Sequence, residues 1–265
     1  MTKDDIKIHK LIKLKRPLCG FDVETTGLNP IEDRIIQVGV VICHPDGTVK
    51  EGVKLVNPEI EIPKDSIKIH GISNEELKDQ QTWKDVGLEI SNGMKNMDIC
   101  AYNGTFDLNF VKASCKRENI PFEAGLLVDP CVIFKNEVKH TLSSAVKYYL
   151  TSRNSSVNLG TNGAHDALWD ARASLIVLQS QLEMYPNLPR NIEGLHKELF
   201  HTVPEGFLDV DRKFKLIDGK PHVVFGKWGR PPTPFNKVPR DYFEWMMKTD
   251  FSESTKKAIT NYVFK

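Results

Sequence analysis

FDVETTGL, residues 21–28, sets two acids two positions apart inside an otherwise apolar stretch that begins at Leu18. An extended strand sends residues i and i+2 to the same face, so Asp22 and Glu24 converge near the strand's C-terminal end, where a divalent metal can sit. Downstream, apolar runs predict further strands over 35–42 and 49–56, joined by the turn HPDG at 44–47 with Asp46-Gly47 as its signal. The chain therefore opens as a β-meander.

Beyond the meander the pattern changes. Ser73 with Glu76 forms a capping box that starts a short helix at NEEL, and Thr82 with Asp85 repeats that logic for a helix running to about Met97. The apolar segment DICAYN reads as a buried strand and is followed by a helix from about Thr105 to Arg117, with Asp107 in its first turn. A strand near 126–129, a helix over 141–150 and a long helix over 166–185 complete the pattern, and the polar segment 151–164 is expected to be a mobile loop leading into His165. Strands first in a meander, then alternating with helices, predict an α/β fold with a mixed five-stranded sheet flanked by helices.

Two later motifs bring more of the same chemistry. AYNGTFDLNF contributes Asp107, and AHDALWDAR contributes His165 and Asp170. Four carboxylates around one point repel and raise one another's pKa, whereas two Mg²⁺ or Mn²⁺ ions about 3.5–4 Å apart turn them into ligands. His165 is the candidate general base, since a histidine side chain ordinarily titrates near pH 6.5 and can take a water's proton at neutral pH. Asp166 and Asp170 are both open to the ligand role, being four apart on one helical face; Asp166 also suits a helix's first turn, where the dipole favours an acid. Asp107 alone would more often be a helix N-terminal acid and His165 alone a surface residue, so it is the ordered set that carries the reading.

The order Asp-x-Glu, Asp, His-x4-Asp resembles the DEDD exonuclease superfamily in its histidine (DnaQ-like) subtype, related to the proofreading subunit of bacterial replicative polymerases. IKIHGISNEEL at 67–77 looks like that family's His-Gly-Ile segment, and the resemblance covers roughly residues 17–185. It implies a ribonuclease H-like fold and two-metal, 3′–5′ hydrolysis of terminal phosphodiesters in single-stranded DNA or frayed 3′ ends, releasing nucleoside 5′-monophosphates. It implies Asp22, Glu24, Asp107 and Asp170 as the metal ligands, with Asp170 preferred to Asp166, and His165 as the base. The tyrosine subtype would need Tyr at 166, where this chain has Asp. By the same resemblance the terminal nucleotide would lie against Thr25 and Thr26, with Leu28 as a wedge, and His70, Ile72, Asn103 and Phe106 would line the pocket, although any one apolar residue of this kind is more often core than contact. The alternatives are an oligoribonuclease-type RNA-trimming activity, since nothing in the motifs reads a 2′-hydroxyl, and a module that docks on a polymerase or repair complex. The family often dimerises, so a homodimer is a further expectation.

Composition sets the limits. With 265 residues, 40% hydrophobic and 27% charged, the chain suits one globular domain plus a small appendage. No apolar run approaches the roughly 18–20 residues of a membrane span, and the N-terminus lacks a secretory apolar region, which places the protein in the cytoplasm, or in the nucleus of a eukaryote. Five widely spaced cysteines without zinc spacing read as reduced core residues. A net charge of +1 hides an asymmetry: residues 1–16 carry six basic and two acidic residues, residues 202–265 carry twelve and eight, and the intervening segment is acidic. Bound cations would offset that acidic centre, and the basic flanks suit a phosphate backbone.

The expected organisation is a basic N-terminal extension (1–16), an exonuclease domain (17–185), a linker with a helix (186–201) and a small α+β module (202–265). Within the module, residues 222–259 resemble the one that follows exonuclease domains in exodeoxyribonuclease X-like proteins. FGKWGR at 225–230 reads as two strand fragments whose basic-aromatic mixture suits nucleic acid. The opposing reading makes Trp228, Tyr242, Phe243, Trp245 and Met246 the module's core, most of all Trp245 and Met246.

Overall fold

The computed structural model describes residues 2–134, 141–151, 166–249 and 251–264. The chain forms two compact units, Met1–His196 and Lys197–Lys265, which divide inside one helix.

The first unit is built on β1 (Leu18–Thr25), β2 (Ile35–Cys43), β3 (Val49–Leu55), β4 (Asp98–Cys100) and β5 (Leu127–Val128). They form one sheet in the order β3-β2-β1-β4-β5, antiparallel from β3 to β1 and parallel from β1 to β5. Its helices are α1 (Lys64–His70), α2 (Asn74–Leu77), α3 (Trp83–Lys95), α4 (Thr105–Arg117), α5 (Pro130–Phe134), α6 (Leu142–Thr151), α7 (Ala167–Met184) and α8 (Ile192–Phe200), the last crossing into the second unit. The β2–β3 turn is the one expected: Gly47 adopts φ +91°, and the Asp46 carboxylate accepts the Thr48 N–H at 2.8 Å. Both capping boxes form, at Ser73/Glu76 and Thr82/Asp85.

Alternation along β1 separates the two faces of the sheet. Gly20 faces α7: a Cβ added there would lie 2.6 Å from Leu175 Cδ1 and 2.7 Å from the Ala171 carbonyl oxygen. Asp22 and Glu24 follow at the same parity and so share that face. On β2, Gly39 is paired with Asp22, and a Cβ added to it would lie 2.1 Å from the Ala167 carbonyl carbon. Glycines in the sheet and alanines in the helix therefore let α7 approach β1 and β2 closely. The helix is buried almost all round from Ala171 to Leu182, which is the signature of a core helix rather than an amphipathic one.

The segment from Ile6 to Leu14 packs into the first unit. Ile6, Ile8, Ile12 and Leu14 are buried, the Lys7 N–H reaches Gln179 Oε1 of α7 at 2.5 Å, and the Lys13 N–H donates to the Arg190 carbonyl at 2.9 Å. All five cysteines are buried free thiols.

The second unit has a three-stranded sheet, β6 (Phe214–Ile217), β7 (Lys220–Val223) and β8 (Thr233–Pro234), with helices α9 (Arg240–Lys248) and α10 (Glu253–Val263). Its core is Phe214, Val223, Phe235, Val238, Phe243, Met246, Ala258 and Ile259. Met246 is fully buried as expected, but Trp245 is 49% exposed, because it lies on the outer face of α9 one residue before the buried Met246. FGKWGR is not a pair of strands: Gly226 at φ +57° opens a 3-10 turn over Gly226–Trp228.

Candidate active site

β4 pairs with β1 only along Leu18–Gly20, so β1 runs on past its parallel neighbour and the Val23 N–H needs another acceptor. It finds Asp107 Oδ1 at 3.0 Å. Asp107 is 4% exposed in the first turn of α4. The turn leading into that helix is held by Asp129, a buried acid just past β5, which accepts N–H groups from Asn103 (3.0 Å), Gly104 (3.2 Å) and Cys131 (2.8 Å). Asn103, itself exposed, takes φ +62° to make the turn.

The start of α7 is fixed from two sides. Asp166 is its N-cap and accepts the Trp169 N–H at 2.9 Å, while the Ala167 N–H donates to Gln37 Oε1 of β2 at 2.8 Å. Gln37 pairs with Glu24 across the sheet, so the same strand pair that carries the acids also anchors the helix. One turn further in, Asp170 meets the acids of β1. Oxygens of Asp22, Glu24 and Asp170 lie within 4.8 Å of one another, the one group of this kind among the described residues.

Electrostatics mark the cluster. Asp22 is held well above the ordinary carboxylate range, first by burial and then by the charges of Asp107, Asp170, Glu24 and Asp166. Burial, then Asp170, Asp107 and Asp166, push Glu24 up to about 8. Burial also raises Asp107, against the lowering effect of the backbone N–H groups it accepts. Carboxylates that resist ionising together are what an all-oxygen donor set for a hard divalent cation looks like without the cation, so these residues fit one. Asp107 stands beside the trio as a fourth acid, tied to β1.

The remaining sequence candidates divide. Thr25 donates from Oγ1 to the Gly27 carbonyl at 2.6 Å; Thr26 is fully buried, donating to Asp33 Oδ1 (3.1 Å) and accepting the Arg34 N–H (3.0 Å), so both side chains shape the loop and leave its surface to others. At that surface Leu28 is 84% exposed, with Ile31 79% exposed on the same loop. His70 and Ile72 first of all end a helix: Gly71 is a left-handed C-cap at φ +79°, and the Ile72 N–H donates to His70 Nδ1 at 3.0 Å. Ile72 is then buried in a cluster with Ile36, Ile62 and Leu77. Phe106 is half-buried, its ring 4.9 Å from Phe110. His165 and nearly all of the 151–164 segment lie outside the described residues. Gln37, Asp129 and Asp33 escaped the sequence reading; a glutamine inside the apolar strand IIQVGVVIC and an acid closing LLVD were the available signals.

Comparison with known proteins gives a consistent picture. The family model described as Exonuclease, RNase_T, matches residues 19–178. A DNA polymerase III PolC-type protein of Thermotoga petrophila is 32% identical over 191 residues, covering 70% of this chain and 14% of that protein. The 3′-5′ exonuclease DinG of Staphylococcus epidermidis is 27% identical over 204 residues, 77% of this chain and 21% of that one. The DNA polymerase III subunit epsilon of Treponema pallidum is 33% identical over 102 residues, 37% of this chain and 47% of the relative. The match thus spans less than half the length of each of these relatives. Among solved structures, E. coli exonuclease I in complex with a dT13 oligonucleotide superposes with a TM-score of 0.54 at 16% identity, over 73% of this chain and 47% of that one. Cell-death related nuclease 4 does so at 0.51 and 18%, over 64% of each. At these identities the superpositions show a shared fold, the ribonuclease H-like sheet described above.

Proposed function

The chain belongs to the exonuclease family whose model spans residues 19–178, and from that membership we propose that it is a divalent-metal-dependent 3′–5′ exonuclease acting on single-stranded DNA or frayed 3′ ends. The observation that carries the reading is the convergence of Asp22, Glu24 and Asp170 within 4.8 Å, with Asp107 locked against β1 beside them. Names of relatives support the polarity and the choice of DNA, since they include a 3′-5′ exonuclease and DNA polymerase III proteins.

Asp22, Glu24 and Asp170 would hold Mg²⁺ or Mn²⁺, with Asp107 as the fourth acid of the proposed two-ion set. Such ions supply charge neutralisation and Lewis-acid polarisation at the scissile phosphodiester. The protein's own part is positioning and proton transfer. A ring nitrogen of His165 would take one proton of the attacking water as the new O–P bond forms; the P–O3′ bond breaks, the departing O3′ takes up a proton from solvent, and a nucleoside 5′-monophosphate leaves. Leu28, exposed at the tip of a loop fastened by Thr26 and Asp33, would press on the terminal base, with Asn103 and Phe106 on the α4 side. Recruitment to a polymerase or repair complex, through residues 202–265, and a homodimer belong to the same proposal.

The test is a ladder. Single-stranded DNA labelled at its 3′ or its 5′ end is incubated with Mg²⁺, Mn²⁺ or EDTA, using wild type, Asp22→Asn and His165→Ala, with a matched RNA in parallel. Metal-dependent shortening from the 3′ end, lost in Asp22→Asn and strongly slowed in His165→Ala, is the expected result. Preferential cleavage of RNA would move the assignment to an exoribonuclease, and an inert protein on both substrates would sink it.

A further inference from the structure

The second unit carries a cluster of aromatic rings that lies over its core and reaches solvent. Phe225, Tyr242, Trp245 and Phe251 form a closed circuit of rings, with centroid separations of 6.5, 5.4, 5.6 and 6.0 Å, and Trp228 joins it 6.3 Å from Tyr242. None of the five is buried; four are half-buried and Trp245 is 49% exposed. Phe225, Trp228, Tyr242 and Phe251 pack against the unit's buried core and keep part of their surface in water, whereas Trp245 stands outside that packing and is the most exposed. Large aromatic rings left half in water give up burial that would otherwise stabilise the fold, and such surfaces mark interaction sites.

Charge identifies the kind of partner. Lys227 Nζ stands 5.0 Å from the Trp228 ring centroid and 5.9 Å from that of Tyr242, and Lys213 Nζ stands 5.6 and 5.5 Å from those of Phe225 and Phe251. Lys227 is exposed and has no ion-pair partner among the described residues, and Lys213 has only Asp211 at 3.9 Å. On α9 the acid Glu244 is engaged by Arg240 at 3.5 Å, leaving Asp241 as the exposed acid beside Tyr242. Tyr242 and Trp245 are inclined by only 31°, so they offer neighbouring faces in similar orientation. Flat rings interleaved with ammonium groups match a strand of unpaired bases joined by phosphates: the rings stack on bases and the lysines meet the backbone. A protein partner would have to place carboxylates in the same alternation with its apolar groups, which a phosphodiester strand does at every nucleotide.

We propose that this face of the second unit, centred on Trp245, Tyr242 and Lys227, is a second binding site for single-stranded DNA, distinct from the carboxylate cluster. The choice of DNA over RNA rests on the proposed function; the stacking surface does not.

The experiment uses the full chain carrying Asp22→Asn, in EDTA, so that binding is read without hydrolysis. Fluorescence anisotropy of a labelled dT20 strand is followed for this parent and for added Trp245→Ala, Trp245→Phe or Lys227→Ala. Trp245→Ala should weaken binding about 5- to 100-fold, as loss of one stacked base does, and Trp245→Phe should restore most of it. Lys227→Ala should lower the slope of log affinity against log salt by about 0.7. Unchanged melting curves exclude a folding defect, since both side chains are solvent-exposed, and in an otherwise wild-type chain each variant should still hydrolyse a trinucleotide. Affinity within twofold of the parent for both Trp245→Ala and Lys227→Ala would overturn the site, whatever the nuclease assay gives. Tighter binding of rU20 than dT20 would overturn its assignment to DNA.

Discussion

Two acids one helical turn apart at the start of α7 take different roles because one lies just outside the helix and the other inside it. Asp166, with extended backbone at φ −113° and ψ 120°, bends its carboxylate back onto the Trp169 N–H; Asp170, in the first turn, projects onto the face that meets Asp22 and Glu24. Two substitutions should therefore separate stability from metal binding. Asp166→Ala should cost about 1 kcal/mol in urea unfolding, as loss of an N-cap does, and leave Mn²⁺ binding by calorimetry nearly intact. Asp170→Asn should do the reverse: it removes one of the mutually repelling charges, so the metal-free protein holds or gains stability while Mn²⁺ binding is lost. Equal loss of metal binding in both variants would show that the two acids share the ligand role.

At the level of elements, the site exists because a helix can sit unusually close to a sheet. Gly39 has no room for a side chain beneath the Ala167 peptide, so Gly39→Ala should destabilise the fold by about 3 kcal/mol or more and, where folded protein remains, shift Asp170 away from β1. A second tie runs from α4. Arg117 Nη2 donates to the carbonyls of Pro30 and Ile31 (3.2 Å each) and Asp33 (3.4 Å), fastening the loop that presents Leu28 to the helix that carries Asp107. Arg117→Ala should raise KM for single-stranded DNA more than it lowers kcat, because it frees the substrate loop and leaves the carboxylates in place; a pure kcat loss would contradict that division. The meander, the caps and the paired acids of β1 were legible from local rules, namely alternation, capping chemistry and i, i+2 geometry, whereas Asp107 and Asp170 stood out only through the ordered motifs and the resemblance they carry. What was not legible depends on neighbours distant in sequence. Gln37 is an ordinary strand residue until α7 lands on it, Asp129 has meaning only beside the Asn103–Gly104 turn, and the neighbours that bury Ile72, Ile36 and Ile62 among them, are set by the fold. Trp245 shows the same limit in reverse, since hydrophobic content placed it in a core that α9 fills with Phe243 and Met246.

Across the molecule, the near-neutral net charge of +1 conceals a folded centre that is costly to ionise, and this links stability, pH and metal. Glu24, ordinarily at 4.5, is pushed up to about 8, and Asp22 and Asp107 are raised with it. Where a folded-state pKa exceeds the unfolded one, the native protein binds more protons in the interval between them, so unfolding free energy falls as pH rises. The contribution is whole below about pH 4.5 and is lost as pH climbs through about 8. In EDTA the melting temperature should therefore decline between pH 5.5 and 8.5, and Asp22→Asn should flatten that decline by removing one of the charges. A divalent cation reverses the sign. It binds the ionised carboxylates, so its affinity rises with pH, and at a hundred times its Kd it adds about 2.7 kcal/mol to the folded state. Melting curves with Mg²⁺ should then be level or rising over the interval in which those in EDTA fall. Parallel curves with and without Mg²⁺ would mean that the cluster holds no cation, and the catalytic reading of these acids would fall with it.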